Sequence, residues 1–196
     1  MKSTTLILLL ILAVLSLTNC TKDDKAKPKL NENSYSSGSK MTPAQQVEYG
    51  KYLVSVNGCH DCHSPKVGDH VPDPTRLLSG FPSSEKLAPI ADRNVLKDYV
   101  LFNMDLTAST GPWGTSFAAN LTTDETGLGS WTFKQFEKAL REGKFKGMDN
   151  SRMLLPPMPW QNFANFSNKD LEAIWAYLQS LPPVKNVVPA PIPPAI

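Results

Sequence analysis

The chain has 196 residues, 41% of them hydrophobic, which suits one globular domain of ordinary size with appended segments. Its formal charge of +2 gives no indication of nucleic-acid binding. From position 41 onward the sequence holds 14 basic and 15 acidic residues, so the predicted domain is close to neutral and its charge names no partner.

The first twenty residues predict a processing signal. Lys2 gives a positive start, and residues 6–17 are apolar apart from Ser16. Such a run spans about 18 Å as a helix, against about 30 Å of bilayer hydrocarbon, so a secretory signal over residues 1–19 is the better interpretation. Residues 17–20, Leu-Thr-Asn-Cys, resemble the lipobox of bacterial lipoproteins, which implies acylation of Cys20. The alternative is an ordinary signal peptide that ends near a cysteine.

Residues 20–40 predict a flexible tether, because they are rich in Lys, Asn and Ser and show no apolar periodicity. Lys22-Asp23-Asp24 resembles a surface-export signal of bacterial lipoproteins, and a solvated charge run is the alternative. We therefore expect the protein in the cell envelope, lipid-anchored in the outer membrane and facing the periplasm or the cell surface. The predicted working domain is residues 41–183.

The first helix of that domain is predicted to begin after Thr42. Thr42 suits the N-cap, Pro43 the first helical position, and Gln45 completes a capping box. The helix should run to about Val56. Gly50 lies in its interior, where glycine costs about 0.8–1.0 kcal/mol relative to alanine, and is tolerable where another helix passes very close.

A short motif, Cys59-His60-Asp61-Cys62-His63, follows the first helix and has the c-type haem attachment pattern. Each thiol can add across one haem vinyl group, and the two intervening residues let both thiols reach the same porphyrin edge. His63 then lies under the iron and can donate a ring nitrogen to it. The motif predicts one covalently bound haem c, held by Cys59, Cys62 and His63.

Two other interpretations of the motif stay open at this point. A thioredoxin-type dithiol also uses Cys-x-x-Cys, but near a βαβ pattern that this sequence does not show. Half of a zinc site is the other, yet zinc uses four ligands, and beyond Cys59, Cys62 and His63 only His60 and His70 offer ring nitrogens.

Further residues are assigned supporting roles around the predicted haem. The carbonyl of Pro65, Pro72 or Pro74 is expected to accept the Nδ1 proton of His63 and so fix its ring. Three more side chains are candidates for contact with the propionates, with salt bridging or core packing as the alternative: Arg76, Trp113 and Asn120.

Residues 64–130 form a long stretch punctuated by Gly, Pro and Asp. It predicts ordered loops with one helix near residues 94–102, and no role is assigned to it. Thr132 with Gln135 then predicts the start of a helix that ends at Gly143. Strand signals are weak throughout the sequence, so the predicted fold class is all-α.

Methionine is the expected sixth ligand of the iron, because its thioether stabilises ferrous iron. Four methionines compete for this role: Met104, Met148, Met153 and Met158. Met158 stands between Pro157 and Pro159, where the backbone is held extended and loses little entropy on ligation. We predict Met158 as the ligand, with Met153 in reserve.

The last helix is predicted to begin at Ser167, with Asp170 in the position of the usual capping-box glutamate. Four apolar residues follow at helical spacing: Leu171, Ile174, Trp175 and Leu178. Pro182 stops this helix. The proline-rich residues 184–196 then predict an extended tail.

These patterns together resemble the class I cytochrome c family: a first helix leading into Cys-x-x-Cys-His, a later methionine, and a last helix with Ile174-Trp175-Ala176-Tyr177-Leu178. The resemblance implies a cytochrome c-like helical domain with long ordered loops, and a contact of Gly50 with Trp175 or Tyr177.

A closer resemblance is to monohaem relatives of the cytochrome c subunits of periplasmic dehydrogenases. It covers about residues 44–183, including residues 120–127 (Asn-Leu-Thr-Thr-Asp-Glu-Thr-Gly), 139–143 (Ala-Leu-Arg-Glu-Gly) and 157–160 (Pro-Met-Pro-Trp). Many of those subunits carry two or three haem motifs, whereas this chain has one.

The predicted function follows from the ligands. With His63 and Met158 both bound, iron has no open position, so the chain is predicted to transfer single electrons and not to be an enzyme. Expected partners are redox proteins: a periplasmic dehydrogenase as donor, and an oxidase or another cytochrome as acceptor. The alternatives are a haem enzyme or sensor with an open distal site, and a haem-bearing docking subunit of a dehydrogenase complex.

Overall fold

The computed structural model describes residues 41–194, so the predicted signal peptide, Cys20 and the tether lie outside the described residues. The α-helices of this part are, in chain order, α1 (Pro43–Val56), α2 (Cys59–His63), α3 (Phe133–Glu142), α4 (Trp160–Phe163) and α5 (Asn168–Ser180). Two short 3-10 helices, Arg93–Lys97 and Phe145–Gly147, accompany them. None of the helices between residues 41 and 194 is long and apolar enough to cross a membrane.

Five short strands form two antiparallel sheets between α2 and α3. The strands β1 (Lys66–Val67) and β2 (Val71–Pro72) make a two-stranded sheet directly after the Cys-x-x-Cys-His motif. The strands β3 (Leu101–Phe102), β4 (Ala108–Gly111) and β5 (Gly114–Phe117) make a three-stranded sheet in that order. The predicted all-α class is therefore wrong: the domain combines helices with sheets.

The sequence of the β4–β5 hairpin explains why its strands gave little signal. All four residues of β4 and the first three of β5 are buried, although both strands consist mainly of small and polar residues and lack apolar alternation. The hydroxyls of Thr110 and Thr115, which face each other in the register, lie 2.8 Å apart. The helix predicted near residues 94–102 is also wrong in length, because the 3-10 helix ends at Lys97 and β3 follows.

The predicted helix starts are confirmed. Each of the three longer helices begins with a capping box. The N-cap hydroxyl accepts from the backbone amide of residue N3, and the N3 side chain accepts from the backbone amide of the N-cap residue. The pairs are Thr42 with Gln45, Thr132 with Gln135, and Ser167 with Asp170. Gly143 ends α3 in the left-handed conformation (φ 65°), as predicted.

Helices α1 and α5 pack closely and form the centre of the hydrophobic core. Gly50 of α1 faces the carbonyl of Ala173 and the Cβ of Tyr177, so the predicted contact with Tyr177 is confirmed. Trp175 instead packs against Phe136 of α3, with ring centroids 5.2 Å apart. Hydrophobic residues buried in this core come from all the longer helices and two loops: Leu53, Val54, Leu78, Leu128, Phe136, Leu140, Leu171, Ala173, Ile174, Tyr177 and Leu178.

The chain beyond α5 contacts the rest of the domain as far as residue 194. Thr115 of β5 and Ile192 exchange two backbone hydrogen bonds of 2.8 and 2.9 Å. Asn186, which lies between α5 and Ile192 in the sequence, is buried at 8% exposure. The proline-rich segment therefore has specific contacts with the hairpin and with the loops beside it.

Candidate functional site

The Cys-x-x-Cys-His motif forms α2, a helix set off from α1 by two residues. Asn57 ends α1 by donating its side-chain amide to the Leu53 carbonyl (2.8 Å), and Gly58 in the left-handed conformation turns the chain into α2. Cys59 and Cys62 are free thiols and both are partly exposed. Because they are three residues apart on a helix, they lie on the same side of it, as attachment to one porphyrin edge requires.

The carboxyl end of α2 is held by a side chain that carries no signal in the sequence. The ammonium of Lys66 donates to the carbonyl oxygens of His60 (3.0 Å), Asp61 (2.9 Å) and Ser64. A cation suits this end of a helix, where carbonyls lack partners and carry partial negative charge. Lys66 also donates its backbone amide to the carboxylate of Asp105 (3.1 Å), which ties β1 to the turn before β4.

His63 is buried, and its ring is fixed by one hydrogen bond. Its Nδ1 lies 2.8 Å from the backbone oxygen of Ala119, so Nδ1 carries the proton and donates. The expectation that Pro65, Pro72 or Pro74 supplies this acceptor is therefore wrong; the Pro65 carbonyl accepts instead from the amide of Asp73. Any residue type offers a backbone carbonyl, so no sequence signal marks Ala119.

Burial sets the charge of the His63 ring. Desolvation lowers the pKa of His63, and the hydrogen bond to Ala119 opposes that shift only in part. The neutral ring is the form that binds iron. Its second nitrogen, Nε2, makes no hydrogen bond with any residue between 41 and 194. The imidazole is thus held through one nitrogen, and the other is available as a ligand.

The Ala119 carbonyl is itself positioned by a tight backbone contact with Gly80. Gly80 has φ +78°, and a Cβ added there would lie 2.5–2.7 Å from backbone atoms of Ala118 and Ala119, so glycine is required on both counts. The Gly80 amide donates to the His63 carbonyl (2.8 Å), and the Phe81 amide donates to the Ala118 carbonyl (3.0 Å). One short loop therefore contacts both partners of the His63–Ala119 hydrogen bond.

The two thiols are protonated at neutral pH. Burial raises the pKa of Cys59 to about 11, and burial also raises the pKa of Cys62. Reactive dithiols of the thioredoxin type have a lowered thiol pKa, so this environment disfavours that interpretation. Zinc sites use four ligands, and in residues 41–194 no three His, Cys, Asp or Glu side chains are grouped so that they could hold a metal ion.

Met158 differs from its three competitors in burial. Met104, Met148 and Met153 are exposed, at 74%, 56% and 41% respectively. Met158 is partly buried and packs against the same hydrophobic core that Cys59 contacts. It follows a cis peptide bond between Pro156 and Pro157 and leads into α4.

The Met158 loop is fastened to the β4–β5 hairpin. The hydroxyl of Ser116 donates to the carbonyl of Pro156 (2.6 Å), two residues before Met158. Trp113, at the tip of the hairpin, donates its indole N–H to the same hydroxyl (3.3 Å). The sequence made Trp113 a candidate for propionate contact and gave no signal for Ser116. In the structure, both side chains belong to the hydrogen bonds that join the hairpin to the Met158 loop.

The other two candidates for propionate contact already have partners. Arg76 pairs with the carboxylate of Asp73 at 2.9 Å. Asn120 is buried, and its amide donates to the Val184 carbonyl (2.8 Å) and to the hydroxyl of Thr126 (3.1 Å). These contacts match the alternatives of salt bridging and core packing that the sequence left open.

The residues that the structure gathers fit a covalently bound haem c. Two free thiols share one side of α2, a buried imidazole has one nitrogen fixed and the other available, and a partly buried thioether lies in a separate loop. These are the donor types that c-type haem uses for covalent attachment and for axial ligation. The assignment of Cys59, Cys62, His63 and Met158 stays a prediction.

Comparison with known proteins gives relatives for part of the chain, although no family model matches it. A subunit of nicotinate dehydrogenase from Pseudomonas putida is 42% identical over 80 residues, which are 40% of this chain and 6% of that protein. The gluconate 2-dehydrogenase cytochrome c subunit of Pantoea cypripedii is 29% identical over 132 residues, which are 67% of this chain and 22% of that subunit. The fructose dehydrogenase cytochrome subunit of Gluconobacter japonicus is 31% identical over 74 residues, or 37% of this chain and 15% of that subunit.

The chain matches less than a quarter of the length of each of these relatives. Two of the three are named as cytochrome subunits of dehydrogenases. These two relatives therefore confirm the predicted resemblance to cytochrome subunits of dehydrogenases. The chain is similar to part of such subunits.

Proposed function

We propose that this chain is a monohaem c-type cytochrome that carries single electrons and has no catalytic site of its own. The observation that carries the proposal is the arrangement on and beside α2. Two free thiols share one side of the helix, and the buried His63 ring is held through Nδ1 by the Ala119 carbonyl. This is the arrangement that covalent haem attachment with a histidine axial ligand requires.

Each residue has a defined task in this proposal. Cys59 and Cys62 would form the two thioether links, His63 would offer Nε2 to the iron, and Met158 would offer its sulfur from a separate loop. A haem bound in this way would supply a one-electron change between ferric and ferrous iron. The Ala119 carbonyl keeps the imidazole in one tautomer and one orientation.

The choice of Met158 is supported by its surroundings. A methionine that serves as an axial ligand must be held close to the interior, and Met158 is the one of the four candidates that is not exposed. Its loop is fastened by the Ser116–Pro156 hydrogen bond. If His63 and Met158 both bound the iron, these residues would favour electron transfer over binding of a substrate.

The names of the relatives support a role next to a dehydrogenase. Cytochrome subunits of gluconate and fructose dehydrogenases share part of this sequence. We propose that this chain accepts electrons from a dehydrogenase and passes them to an oxidase or to another cytochrome. Its near-neutral domain gives only weak electrostatic steering, so donor and acceptor are recognised mainly by surface shape.

We also propose that Cys20 is acylated and holds the protein in the cell envelope, at the outer membrane. The lipobox-like residues 17–20 support this assignment. Several acyl chains would anchor the protein firmly, because each buried methylene contributes about 0.8 kcal/mol. The full chain should partition with membranes and a Cys20→Ala variant with the soluble fraction; a Cys20→Ala protein that stays with the membranes would exclude this anchor.

Absorption spectra of the purified native protein in both oxidation states, together with the number of haems per chain, test the main proposal. We expect one low-spin haem that stays with the denatured chain, and a thioether-to-iron charge-transfer band in the oxidised form. The double variant Cys59→Ala/Cys62→Ala should lose covalent attachment. A native protein without haem would refute the proposal.

The axial ligand has its own test. Met158→Ala should lose the charge-transfer band and bind cyanide or carbon monoxide readily. The exposed Met153 and Met148 provide matched controls, and their alanine variants should keep the band. Survival of the band in Met158→Ala, with its loss in Met153→Ala, would move the assignment to Met153.

A further inference from the structure

We propose that Asn186 is a positioning residue for the His63 imidazole, acting through the backbone that presents the Ala119 carbonyl to Nδ1. The inference rests on the proposed function, because it takes His63 to be an axial ligand of a haem. In this inference, the proline-rich segment after α5 helps to set the properties of that ligand.

Asn186 is unusual within its own segment. Among residues 182–194 it is the one buried residue, at 8% exposure, although it is polar. Burying an amide without partners costs free energy, so its position is explained by hydrogen bonds and not by removal of apolar surface from water. Its side chain makes three of them, all to the backbone of residues 79–83.

Those three hydrogen bonds enclose the loop around Gly80. The Asn186 amide donates to the carbonyls of Ser79 (2.7 Å) and Phe81 (2.9 Å), which flank Gly80 on either side. Its side-chain oxygen accepts from the Ser83 amide (2.9 Å). The side chain thus uses both donors and its acceptor on a single short loop.

The same loop sets the position of the Ala119 carbonyl. Gly80 packs against Ala118 and Ala119 so tightly that a Cβ would lie within 2.5–2.7 Å of their backbone, and Phe81 donates to the Ala118 carbonyl (3.0 Å). The Ala119 oxygen then accepts from His63 Nδ1 at 2.8 Å. A continuous series of hydrogen bonds and backbone contacts therefore joins Asn186 to the imidazole.

The segment also holds the other side of Ala119. The buried side chain of Asn120, the next residue, donates to the carbonyl of Val184 at 2.8 Å. Ala119 is thus flanked by the Gly80 loop and by Asn120, and the segment around Asn186 binds both. Loss of the Asn186 amide removes three hydrogen bonds from the Gly80 loop. The backbone hydrogen bonds of Gly80 and Phe81 and the Asn120 contact stay in place, so the carbonyl is loosened and the domain stays folded.

Loosening this carbonyl has a defined effect on the ligand. A hydrogen bond from Nδ1 makes the imidazole more basic and favours the ferric state. In Asn186→Ala that bond weakens, so reduction becomes easier. The whole net contribution of one hydrogen bond, about 0.5–1.5 kcal/mol, is an upper limit for the difference between the two oxidation states, so we expect an increase of about 2- to 5-fold in the equilibrium constant for reduction.

The test is a potentiometric titration of the full haem-loaded protein and its variants, with the solvent exchange rate of the His63 Nδ1 proton measured in the reduced form. We expect Asn186→Ala to favour reduction by that factor and to exchange the Nδ1 proton faster. Val187→Ala, at an exposed neighbouring position, is the surface control. Ile174→Val, in the α5 core, lowers stability without removing any hydrogen bond of the Asn186 side chain and should change neither quantity.

The outcomes separate this inference from the proposed function. If Asn186→Ala holds haem but matches wild type in both measurements, the inference is overturned and the proposed function stands. If Ile174→Val shifts the reduction equilibrium as much as Asn186→Ala, the effect is general destabilisation and the inference is also overturned. Absence of haem from the wild type refutes the proposed function itself. If Asn186→Ala does not fold, Asn186→Ser takes its place, because serine keeps one hydrogen-bond donor. Its reduction equilibrium should then shift in the same direction by a smaller factor. An unchanged equilibrium in Asn186→Ser would overturn the inference.

Discussion

A Cβ atom placed on Gly50 would lie 1.9 Å from the carbonyl oxygen of Ala173, and also 2.9 Å from the Cβ of Tyr177. The first and last long helices therefore cross with the backbone of α1 almost in contact with the backbone of α5. A glycine in the interior of a helix is unfavourable by itself. The close crossing requires glycine here, because a Cβ atom on any other residue would overlap the Ala173 carbonyl.

Replacing Gly50 with alanine should therefore destabilise the protein despite the better helix propensity of alanine. The added methyl group meets backbone atoms that cannot rotate away, so α1 and α5 must separate. We expect a loss of about 2–3 kcal/mol in the free energy of unfolding, measured by urea denaturation. Lys51→Ala, at the adjacent exposed position of α1, should be close to neutral. Equal stability of the two variants would contradict the close crossing.

The helix starts could be predicted from sequence because their signals are local. Each capping box lies within four residues, and the hydroxyl and carboxamide or carboxylate that form it also make its hydrogen bonds in the structure. The Cys-x-x-Cys-His motif is local in the same way. Its thiols and His63 occupy one short helix, so the spacing alone gives their arrangement.

The sheets could not be predicted, because their stability comes from distant parts of the chain. The β4–β5 hairpin is buried without an apolar face, and Ile192 adds backbone hydrogen bonds to its outer strand. The Nδ1 acceptor of His63 was missed for a similar reason. It is a backbone oxygen 56 residues away, and Asn186, a further 67 positions on, holds the loop beside it.

Asp73 provides a prediction for acid conditions. The hydroxyl and amide of Thr75 and the guanidinium of Arg76 donate to its carboxylate, and these hydrogen bonds lower the pKa of Asp73 to about 2 from an ordinary value of 3.8. A carboxyl whose pKa is lowered on folding stabilises the protein above its unfolded pKa. That contribution disappears as the pH falls from about 4 to about 2.

Asp73→Asn should therefore be less stable than wild type at neutral pH and should approach it at about pH 2. Urea unfolding midpoints over this range provide the measurement. Asp69→Asn, at an exposed position, is the control and should follow the wild-type curve. Asp124, whose pKa is also lowered by hydrogen bonds from Thr126, keeps part of the acid dependence in every variant. A constant difference between Asp73→Asn and wild type at all pH values would argue against the pKa shift.

Lys66 should stabilise the motif helix independently of any bound group. In Lys66→Met the aliphatic stem is retained, but the carbonyls of His60, Asp61 and Ser64 lose their common donor. We expect a loss of about 1–2 kcal/mol in the free energy of unfolding, less than for fully buried carbonyls because water reaches part of this site.

Lys86→Met is the matched control for Lys66→Met, because Lys86 is exposed and the change is chemically the same. Amide hydrogen exchange locates the effect. In Lys66→Met, the amides of α2 and of Ser64 should exchange faster, while those of α5 keep their protection. An exchange pattern that is unchanged across α2 would show that the ammonium does not hold this helix.

The hydrogen bond from Ser116 to the Pro156 carbonyl gives a last prediction, for the loop that carries Met158. Ser116→Ala removes this link, so the loop should move more freely, and under the proposed ligation by Met158 the thioether would leave the iron more often. In haem-loaded protein we expect cyanide to bind about 3- to 10-fold faster, in line with the loss of one hydrogen bond of about 1 kcal/mol.

Ser109→Ala is the control. Ser109 faces Ser116 across the hairpin, and its buried hydroxyl has no hydrogen-bond partner among the described residues. Faster binding in Ser109→Ala as well would assign the effect to the hairpin as a whole, and unchanged binding in Ser116→Ala would show that the Ser116 hydroxyl does not hold the Met158 loop.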